Sequence, residues 1–419
     1  MTDQQPLAQQ PAHVPDALVF DFDMFTDPAL RVDPHARVLE IVRTAPPILW
    51  TPRNGGHWML ISHEANHAAG RTPQMFSSQI IPPEAAAAML AKMPADAPRI
   101  PTLVPIFLDP PEHAKYRMPL ASAFSPQAMI ALEQEIRAHA RVLIQSIASK
   151  GECEFMSAIA VPLPVRAFMK LMGFPLDRDK EYRALAREMI GGAGDAPDIV
   201  LRRMFRIMGA MRETLLARKD KPKNDLISLL WGLQIDGKPT TLEDVENFSL
   251  LLFLAGLDTV MLGIGFAARH LAVDPDLQNQ LRTHPEQIPK AKEEMLRRYS
   301  FVSPPRRVAN DGEFFGVQFK RNERVIQFLP AAGLDPKRFP DPERFDMDRV
   351  NQAHIAFNSG AHRCLGSNLA RIELQILYEE LLATLPPFHL DPARPPVFHG
   401  GNNLGIDTMH LVWNAQGVA

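Results

Sequence analysis

A cysteine late in the chain lies among residues whose types and spacing suit metal chemistry. Phe357, Gly360 and His362 precede Cys364 at fixed offsets, and Gly366 follows it two residues later. The apolar residues that come next recur at helical spacing, so we expect the cysteine at the start of a helix. Backbone N–H groups and the helix dipole stabilise a thiolate at such a position.

A thiolate in this setting suits the iron of a haem, because the sulfur donates electron density to the metal and favours cleavage of an O–O bond. Gly360 and Gly366 would leave room for a flat ligand against the backbone, and Phe357 would shield the sulfur. Two alternatives apply to any lone cysteine. It is either an inert core residue, which is how we interpret Cys153, or a catalytic nucleophile, whose histidine partner the sequence does not identify.

A second group of reactive residues, Asp258 and Thr259, lies in the middle of the apolar stretch 250–268. A threonine can bond the carbonyl one turn back and bend a helix, and Gly256 loosens the same turn. A hydroxyl beside a carboxylate in a water-poor site suits the delivery of protons to a bound reactant. The alternative is a threonine bonded to its own helix beside an acid at a bend. An acid at this position also argues against a membrane span.

The patterns around these residues predict a mainly helical chain with small sheets. Residues 48–61 are predicted to form a β-hairpin, because an Asn-Gly-Gly turn lies between two apolar runs. Ser125 is the predicted N-cap of a helix that has Pro126 in its first turn. Further helices are predicted near 178–190, 199–219, 241–272, 288–299 and 366–385, strands at 313–319 and 323–328, and a long loop at 85–101.

Length and composition limit the possible classes of protein. The chain has 419 residues, of which 46% are hydrophobic and 22% charged, and this excludes a disordered or fibrous protein. Its net charge of −3 gives no reason to expect nucleic acid or a membrane as a partner. Two cysteines and the lack of a basic, apolar leader favour a cytoplasmic protein. Residues 1–16 are predicted to be a flexible tail, and 17–419 a single domain.

The cysteine segment closely resembles the haem-ligand signature of the cytochromes P450, F-x-x-G-x-H/R-x-C-x-G. Residues 254–259 are similar to the oxygen-binding motif A/G-G-x-D/E-T of that family, and residues 294–297 match E-x-x-R. Residues 113–117 and 342–345 resemble its H-x-x-x-R and P-E-R-F segments. The likeness is greatest to the bacterial, class I camphor-hydroxylase branch. It implies the cytochrome P450 fold, a helical bundle around haem b with small β-sheets.

The resemblance also implies roles for individual residues. Cys364 would be the axial thiolate ligand of the iron, and Thr259 and Asp258 would deliver protons during oxygen activation. His113, Arg117, Arg306 and His362 would bind the haem propionates. Glu294, Arg297 and Arg344 would form a buried structural triad. The other implied haem contacts are Ala255, Gly256, Phe357, Gly360 and Gly366.

Several positions depart from the camphor-hydroxylating pattern. Gly191 stands where an arginine would hold the acid, which leaves Arg183 as the expected basic partner of that acid. Pro304 and Pro305 replace an Asp-Gly pair and would remove one propionate contact. Asn403 stands at an otherwise apolar position, from which its amide would anchor a ketone or hydroxyl. The remaining positions that match the substrate pocket are apolar, and each fits core packing equally well: Met189, Leu251, Leu254 and Val302.

We therefore expect a haem-thiolate monooxygenase that hydroxylates a small apolar substrate with O2. A terpenoid or norisoprenoid ketone, such as an ionone, fits an apolar pocket with one donor. No flavin or nicotinamide fingerprint is visible, so the resemblance implies a [2Fe–2S] ferredoxin with its NADH-dependent reductase, bound through Lys115, Arg117 and Arg363. The alternatives are a peroxygenase on the same fold and a haem-based sensor or ligand carrier, which needs no acid–alcohol pair.

Overall fold

The computed structural model describes residues 6–92, 99–190 and 197–415, and helices dominate it. The helices are α1 (Pro34–Thr44), α2 (His63–Ala69), α3 (Pro83–Ala91), α4 (Glu112–Arg117), α5 (Pro126–Ala148), α6 (Pro162–Met172), α7 (Asp179–Ile190), α8 (Pro197–Asp220), α9 (Leu226–Trp231), α10 (Leu242–Val273), α11 (Pro275–Thr283), α12 (Ile288–Arg298), α13 (Leu329–Ala332) and α14 (Ser367–Thr384). The strands are β1 (Ile48–Thr51), β2 (His57–Leu60), β3 (Phe76–Ser77), β4 (Glu152–Glu154), β5 (Gln234–Ile235), β6 (Lys238–Pro239), β7 (Pro305–Val308), β8 (Gly312–Phe314), β9 (Val317–Phe319), β10 (Arg324–Gln327), β11 (Phe388–Leu390), β12 (Val397–His399), β13 (Gly405–Thr408) and β14 (His410–Trp413).

A five-stranded sheet joins the first hundred residues to the last third of the chain. Its strand order is β1-β2-β10-β7-β3, with β2 and β10 parallel and the other neighbours antiparallel. The predicted hairpin is the β1–β2 pair, and its turn has positive φ angles at Asn54 (54°) and Gly55 (81°). Asparagine and glycine adopt such angles at low cost, which explains why this turn is readable from the sequence.

The other sheets are small. Strands β11, β14 and β4 form a three-stranded sheet, and β5–β6, β8–β9 and β12–β13 are two-stranded antiparallel ribbons. The predicted strand 313–319 is the β8–β9 hairpin, because Phe315 and Gly316 take positive φ angles and reverse the chain. The predicted strand 323–328 corresponds to β10.

Helix α10 crosses the core of the protein. It begins at a capping box in which Thr241 accepts a hydrogen bond from the backbone of Asp244, whose carboxylate bonds back to the backbone of Thr241. The helix packs against α6, α8 and α14. Among the described helices it is the one long and apolar enough to cross a membrane, yet 67% of its most apolar window is buried inside the protein. This burial is typical of a core helix.

Helix α14, which follows Cys364, packs along α5. Helix α5 begins as predicted, since the Ser125 hydroxyl accepts a hydrogen bond from the backbone N–H of Ala128 (3.3 Å) and Pro126 lies in the first turn. The buried faces of α5, α10 and α14 belong to one large cluster of apolar side chains. The cysteine loop and the Asp258 turn are therefore both attached to the same core.

Residues 6–16 pack on the five-stranded sheet, so the prediction of a flexible tail is wrong for them. The backbone N–H of Ala8 donates to the carbonyl of Pro52 (2.9 Å), and the side chain of Val14 is 3% exposed. His13 lies 2.9 Å from a carboxylate oxygen of Glu323. The Gln- and Pro-rich composition does not reveal these contacts, because they depend on a sheet formed by distant residues. Residues 1–5 lie outside the described part of the chain.

Several helices are absent from the predictions. Residues 83–91 form α3 within the predicted loop 85–101, since their alanines favour a helix; residues 93–98 lie outside the description. The sequence patterns also leave α1, α2, α6 and α11 unpredicted. For α6 the reason is its two early prolines, Pro162 and Pro164, which resemble helix breakers but lie in the first turn, where no N–H donor is needed.

Candidate active site

Cys364 lies on a loop between the short 3-10 turn Gly360–His362 and α14, which Gly366 caps. Its backbone N–H donates to the carbonyl of Phe357 (2.8 Å), and the backbone N–H of Gly366 bonds to the sulfur. The side chain is accessible to solvent, yet desolvation by the surrounding protein raises the pKa of its thiol. A side chain that is both accessible and surrounded by protein lines a cleft.

Gly360 serves the packing of this loop, and its predicted contact with a flat ligand stays a prediction. Its φ is 70°, and a Cβ at this position would lie 1.9 Å from the carbonyl oxygen of Gly70. The hydroxyl of Ser359 donates to the carbonyl of His67 (2.8 Å), which fixes the same approach to the end of α2. A Cβ on Gly366, in contrast, would meet no atom within 4 Å, so there is open space beside the sulfur.

Four basic side chains lie together next to the cysteine loop. The rings of His113 and His362 are 4.2 Å apart, and their Nε2 atoms have no hydrogen-bond partner in the described residues. Burial lowers the pKa of His362 to about 3 and that of His113 to about 4, and the charges of Arg306 and Arg117 add to the effect. The guanidinium of Arg117 donates to the carbonyl of Arg363.

Two adjacent arginines on β7 differ in what surrounds them, because neighbouring side chains of a strand point to opposite faces. Arg307 donates to the carbonyl of Gln79 (2.7 Å) and to the side chain of Asn322 (3.1 Å). Its guanidinium therefore has hydrogen-bond acceptors within the protein. Arg306 is buried, and within the described residues its side chain donates only to the carbonyl of Pro305 (2.7 Å). Burial lowers the pKa of Arg306 to about 10, which indicates a cation in need of a counter-anion.

These residues fit a haem. An accessible sulfur stands beside two arginines and two imidazoles whose buried Nε2 atoms lack partners in the described part of the chain, which is what an iron porphyrin with two carboxylates requires. Cys364 would hold the iron, and the four basic residues would hold the carboxylates. The ring of Phe357 packs against the guanidinium of Arg371, with Cζ 4.6 Å from the ring centroid.

The middle of α10 opens to a cleft. Ala255 is exposed, and Asp258 and Thr259 are half-buried, although the helix is core-packed on both sides of this turn. The Thr259 hydroxyl donates to the carbonyl of Ala255 (2.9 Å), which is the bond to the preceding turn that the sequence predicts. Gly256 faces α6, since a Cβ there would approach Phe168 at 3.6 Å. This is ordinary contact, so α6 does not require a glycine at this position.

Asp258 is held by Asn403 from the segment that precedes β13. The amide nitrogen of Asn403 donates to Oδ2 of Asp258 (2.9 Å). Desolvation raises the pKa of Asp258, and the Asn403 bond and the charge of His399 partly oppose this shift. The expected basic partner Arg183 forms an ion pair with Asp179 one turn earlier on α7, so that prediction is wrong. Gly191 lies outside the described residues.

One N–H of the Asn403 amide is directed at the Asp258 carboxylate, which leaves its second N–H and its oxygen for the predicted contact with a substrate. Asn403 forms a β-bridge with Val302. The backbone bonds on either side fix this bridge, from Leu404 to Phe301 (2.9 Å) and from Ser303 to Asn402 (2.7 Å). From Val302 the chain continues into β7 and Arg306. The segment that pairs with Asn403, the partner of Asp258, therefore also carries one of the four basic residues.

Comparisons with known proteins agree with this geometry. A family model described as Cytochrome P450 matches residues 201–392. A probable cytochrome P450 127A1 from Sinorhizobium fredii is 32% identical over 414 residues, which cover 96% of each chain. The chain belongs to the cytochrome P450 family. The linalool 8-monooxygenase of Pseudomonas putida is 29% identical to this cytochrome P450 and covers 83% of it, with 88% of that relative matched.

Solved structures confirm the predicted fold. The crystal structure of cytochrome P450 CYP101C1 superposes with a TM-score of 0.87 at 30% identity, and that of CYP101J2 with 0.85 at 30% identity. Each match covers 97% of this chain and 100% of the other. The protein is thus a cytochrome P450 monooxygenase, and its cofactor is haem b with a cysteine thiolate ligand.

The predicted pocket positions of this cytochrome P450 lie around the open turn of α10. Leu251 and Leu254 precede Ala255 on the helix, and Val302 lies across from Asp258 on the bridge to Asn403; all three are half-buried. The side chain of Met189 lies outside the described residues. The three described positions are therefore partly accessible near the open turn, and their contact with a substrate stays a prediction.

The E-x-x-R segment forms a fully buried ion pair. Arg297 bonds both carboxylate oxygens of Glu294 (2.7 and 2.8 Å), and neither side chain has exposed area. The third charged member is Arg349, whose Nε lies 2.9 Å from Glu294. The predicted member Arg344 has an exposed side chain and contributes only its carbonyl, to which Arg349 donates (2.6 Å). The prediction of Arg344 is wrong because the chain folds back after it.

Proposed function

We propose that this cytochrome P450 hydroxylates a terpenoid or norisoprenoid ketone, such as an ionone, with O2 and electrons from a [2Fe–2S] ferredoxin and its NADH-dependent reductase. Haem b, when bound, supplies the chemistry that activates O2 for insertion of one oxygen atom into a C–H bond while the other leaves as water. The observation that carries the proposal is the open turn of α10, where Thr259 and Asp258 border a cleft beside apolar side chains.

The apolar border supports a small apolar substrate. Leu251 and Leu254 on α10 and Val302 on the opposite segment are half-buried, so a ligand that covers them removes apolar area from water. Such burial contributes about 25 cal/mol per Å². The linalool 8-monooxygenase among the relatives supports a terpenoid. One Asn403 N–H is bonded to Asp258, so the amide would orient a ketone through its second N–H, together with the shape of the apolar border.

Thr259 and Asp258 are proposed to deliver the protons that oxygen activation consumes. While the Thr259 hydroxyl donates to the Ala255 carbonyl, its oxygen keeps lone pairs that accept a hydrogen bond from water or from a protonated reactant in the cleft. Burial raises the pKa of Asp258, so this carboxyl exchanges a proton more readily near neutral pH than an ordinary aspartate does. A substrate bound against the apolar border would keep bulk water away from both groups.

The haem-binding roles follow from the cluster described above. Cys364 is proposed to ligate the iron, and His113, Arg117, Arg306 and His362 to bind the propionates. Ala255 and Gly366 both border open space, which supports their proposed contact with the haem. Phe357 is proposed to shield the sulfur.

Arg363 supports docking of an acidic ferredoxin, because it is exposed one residue from Cys364. The other two predicted contacts are already engaged. Lys115 lies 2.8 Å from Glu112 and 2.9 Å from Asp236, and Arg117 donates to the carbonyl of Arg363. Arg363 is therefore the strongest of the three as a docking contact.

Titration of the ferric holoenzyme with β-ionone tests the substrate class. We expect a low-spin to high-spin change in the absorption spectrum, and hydroxylated ionone once ferredoxin, reductase and NADH are added. Leu254→Phe should weaken ionone binding, since it fills the cleft. Linalool serves as the comparison ligand. A spin change with linalool and none with ionones would contradict the ketone assignment.

A further inference from the structure

The acid of the proposed proton route contacts a hairpin that is remote in sequence. Asn403, its hydrogen-bond partner, leads into β13, and β13 pairs with β12, which ends at His399. Nδ1 of His399 lies 2.7 Å from Oδ1 of Asp407 on β13. The Asp407 side chain is 45% exposed and that of His399 is 22% exposed, so this pair reaches solvent.

The other edge of the His399 ring approaches α10. A Cβ on Gly405 would lie 2.3 Å from Nε2 of His399 and 2.9 Å from Cδ2 of Leu262, so the imidazole and Leu262 both lie against this glycine. Leu262 follows Asp258 by one turn of α10. The charge of His399 acts on the Asp258 carboxylate. His399 thus lies between an exposed carboxylate and the half-buried carboxylate of Asp258.

We propose that this hairpin is where protons enter the site: His399 and Asp407 take protons from solvent, and Asn403 positions Asp258 to receive them. In each transfer the imidazolium of His399 gives its Nε2 proton through water to the carboxylate of Asp258, and solvent then reprotonates the ring. No group is oxidised or reduced. The inference rests on the proton role of Asp258 stated under Proposed function.

The charges around Asp258 favour this route. The cations on the neighbouring stretches are paired with other acids: Arg269, about three turns further along α10, pairs with Asp33 (2.7 Å), and Arg183 on α7 pairs with Asp179. Asn403 carries no charge, so it orients the Asp258 carboxylate without the strong preference for the ionised form that an ion pair imposes. A carboxylate held in this way can accept and release a proton without breaking a salt bridge.

Asn403→Leu tests the positioning role, because leucine has a similar size and no donor. In the ferric holoenzyme, loss of the bond should raise the pKa of Asp258, measured by infrared titration with isotope-labelled aspartate. Product formed per NADH should fall several-fold. Asn403→Gln, which keeps an amide, should restore part of the product yield. Asn402→Leu, at the exposed neighbouring position, is the matched control and should change neither quantity.

His399→Phe tests the entry point. It should increase the solvent isotope effect on product formation, and Asp407→Asn should do so more weakly. Combined with Asp258→Asn, His399→Phe should cause no further loss, because both groups act in one sequence of transfers. His389→Phe, an exposed histidine on β11, is the control.

The outcomes separate the two proposals. If Asp258→Asn lowers product per NADH but Asn403→Leu and His399→Phe do not, the proton-entry inference is overturned and the proposed function stands. If Asp258→Asn has no effect, the proposed proton role itself fails. If Asn403→Leu weakens ionone binding and leaves the carboxyl titration unchanged, Asn403 is a substrate anchor alone and the inference is overturned.

Discussion

Two acids on core helices, Glu294 and Asp258, are held in contrasting ways. Glu294 accepts hydrogen bonds from Arg297, from Arg349 and from the backbone N–H of Asp346 (2.9 Å), and it has no exposed area. Asp258 accepts one side-chain hydrogen bond, from the uncharged amide of Asn403, beside an open cleft. An acid with every oxygen bonded to a cation or N–H stabilises the fold, whereas an acid with one neutral partner remains able to titrate.

Removal of Glu294 should have the largest effect on stability. Glu294→Ala leaves two buried guanidinium groups without their carboxylate, which typically costs about 3–5 kcal/mol. Denaturant unfolding of the ferric holoenzyme, followed by haem absorbance, measures this loss. An unfolding free energy close to that of the wild type would show that the ion pair is not the main support of this region.

Removal of the Asp258 carboxylate should affect catalysis and spare the fold. Asp258→Asn should lower the rate of product formation by roughly 100-fold, the lower range for loss of a positioned proton-transfer group. The unfolding midpoint should not decrease, since no buried cation depends on this acid. Product and NADH are quantified in the same reaction. A variant that loses both stability and activity would place Asp258 with the structural acids.

Arg349 and Arg344 provide a matched test of the Glu294 network. Arg349→Ala removes a guanidinium that bonds Glu294 and should cost about 1–3 kcal/mol. Arg344→Ala keeps the carbonyl that the network uses and changes an exposed side chain, so its effect should stay within about 0.5 kcal/mol. Thermal unfolding of both variants decides between them. The reverse order would restore Arg344 as the third member.

The smallest expected effect is a pH dependence of stability. Burial raises the pKa of Asp258, so the folded protein keeps this proton at pH values where the unfolded chain has lost it. The contribution of Asp258 to stability therefore falls as the pH rises from about 4 through the raised pKa. The unfolding midpoint of Asp258→Asn minus that of the wild type should increase over this range and then level off. A difference that is independent of pH would contradict the raised pKa.

The local parts of the site are predictable from the sequence. The position of Cys364 before a helix and the bond from Thr259 to Ala255 depend on residues within one or two turns, so spacing alone encodes them. The cap at Ser125 and the turn at Asn54 are predictable for the same reason.

The partners that come from distant segments are not predictable in this way. Arg349 reaches Glu294 because the chain reverses after Arg344, and no local pattern marks that reversal. Asn403 meets Asp258 because a bridge with Val302 brings the two segments together. Motif matching supplies the residue type at each position but not the direction in which the intervening chain turns.

The contact of Gly360 with the carbonyl of Gly70 joins the cysteine loop to the end of α2. We therefore expect the loop to reach its final position only once both α2 and α14 have formed, so that haem binding follows the folding of these two segments. The colour of a preparation then reports that both ends of the polypeptide have assembled, and a fragment lacking either end should remain pale.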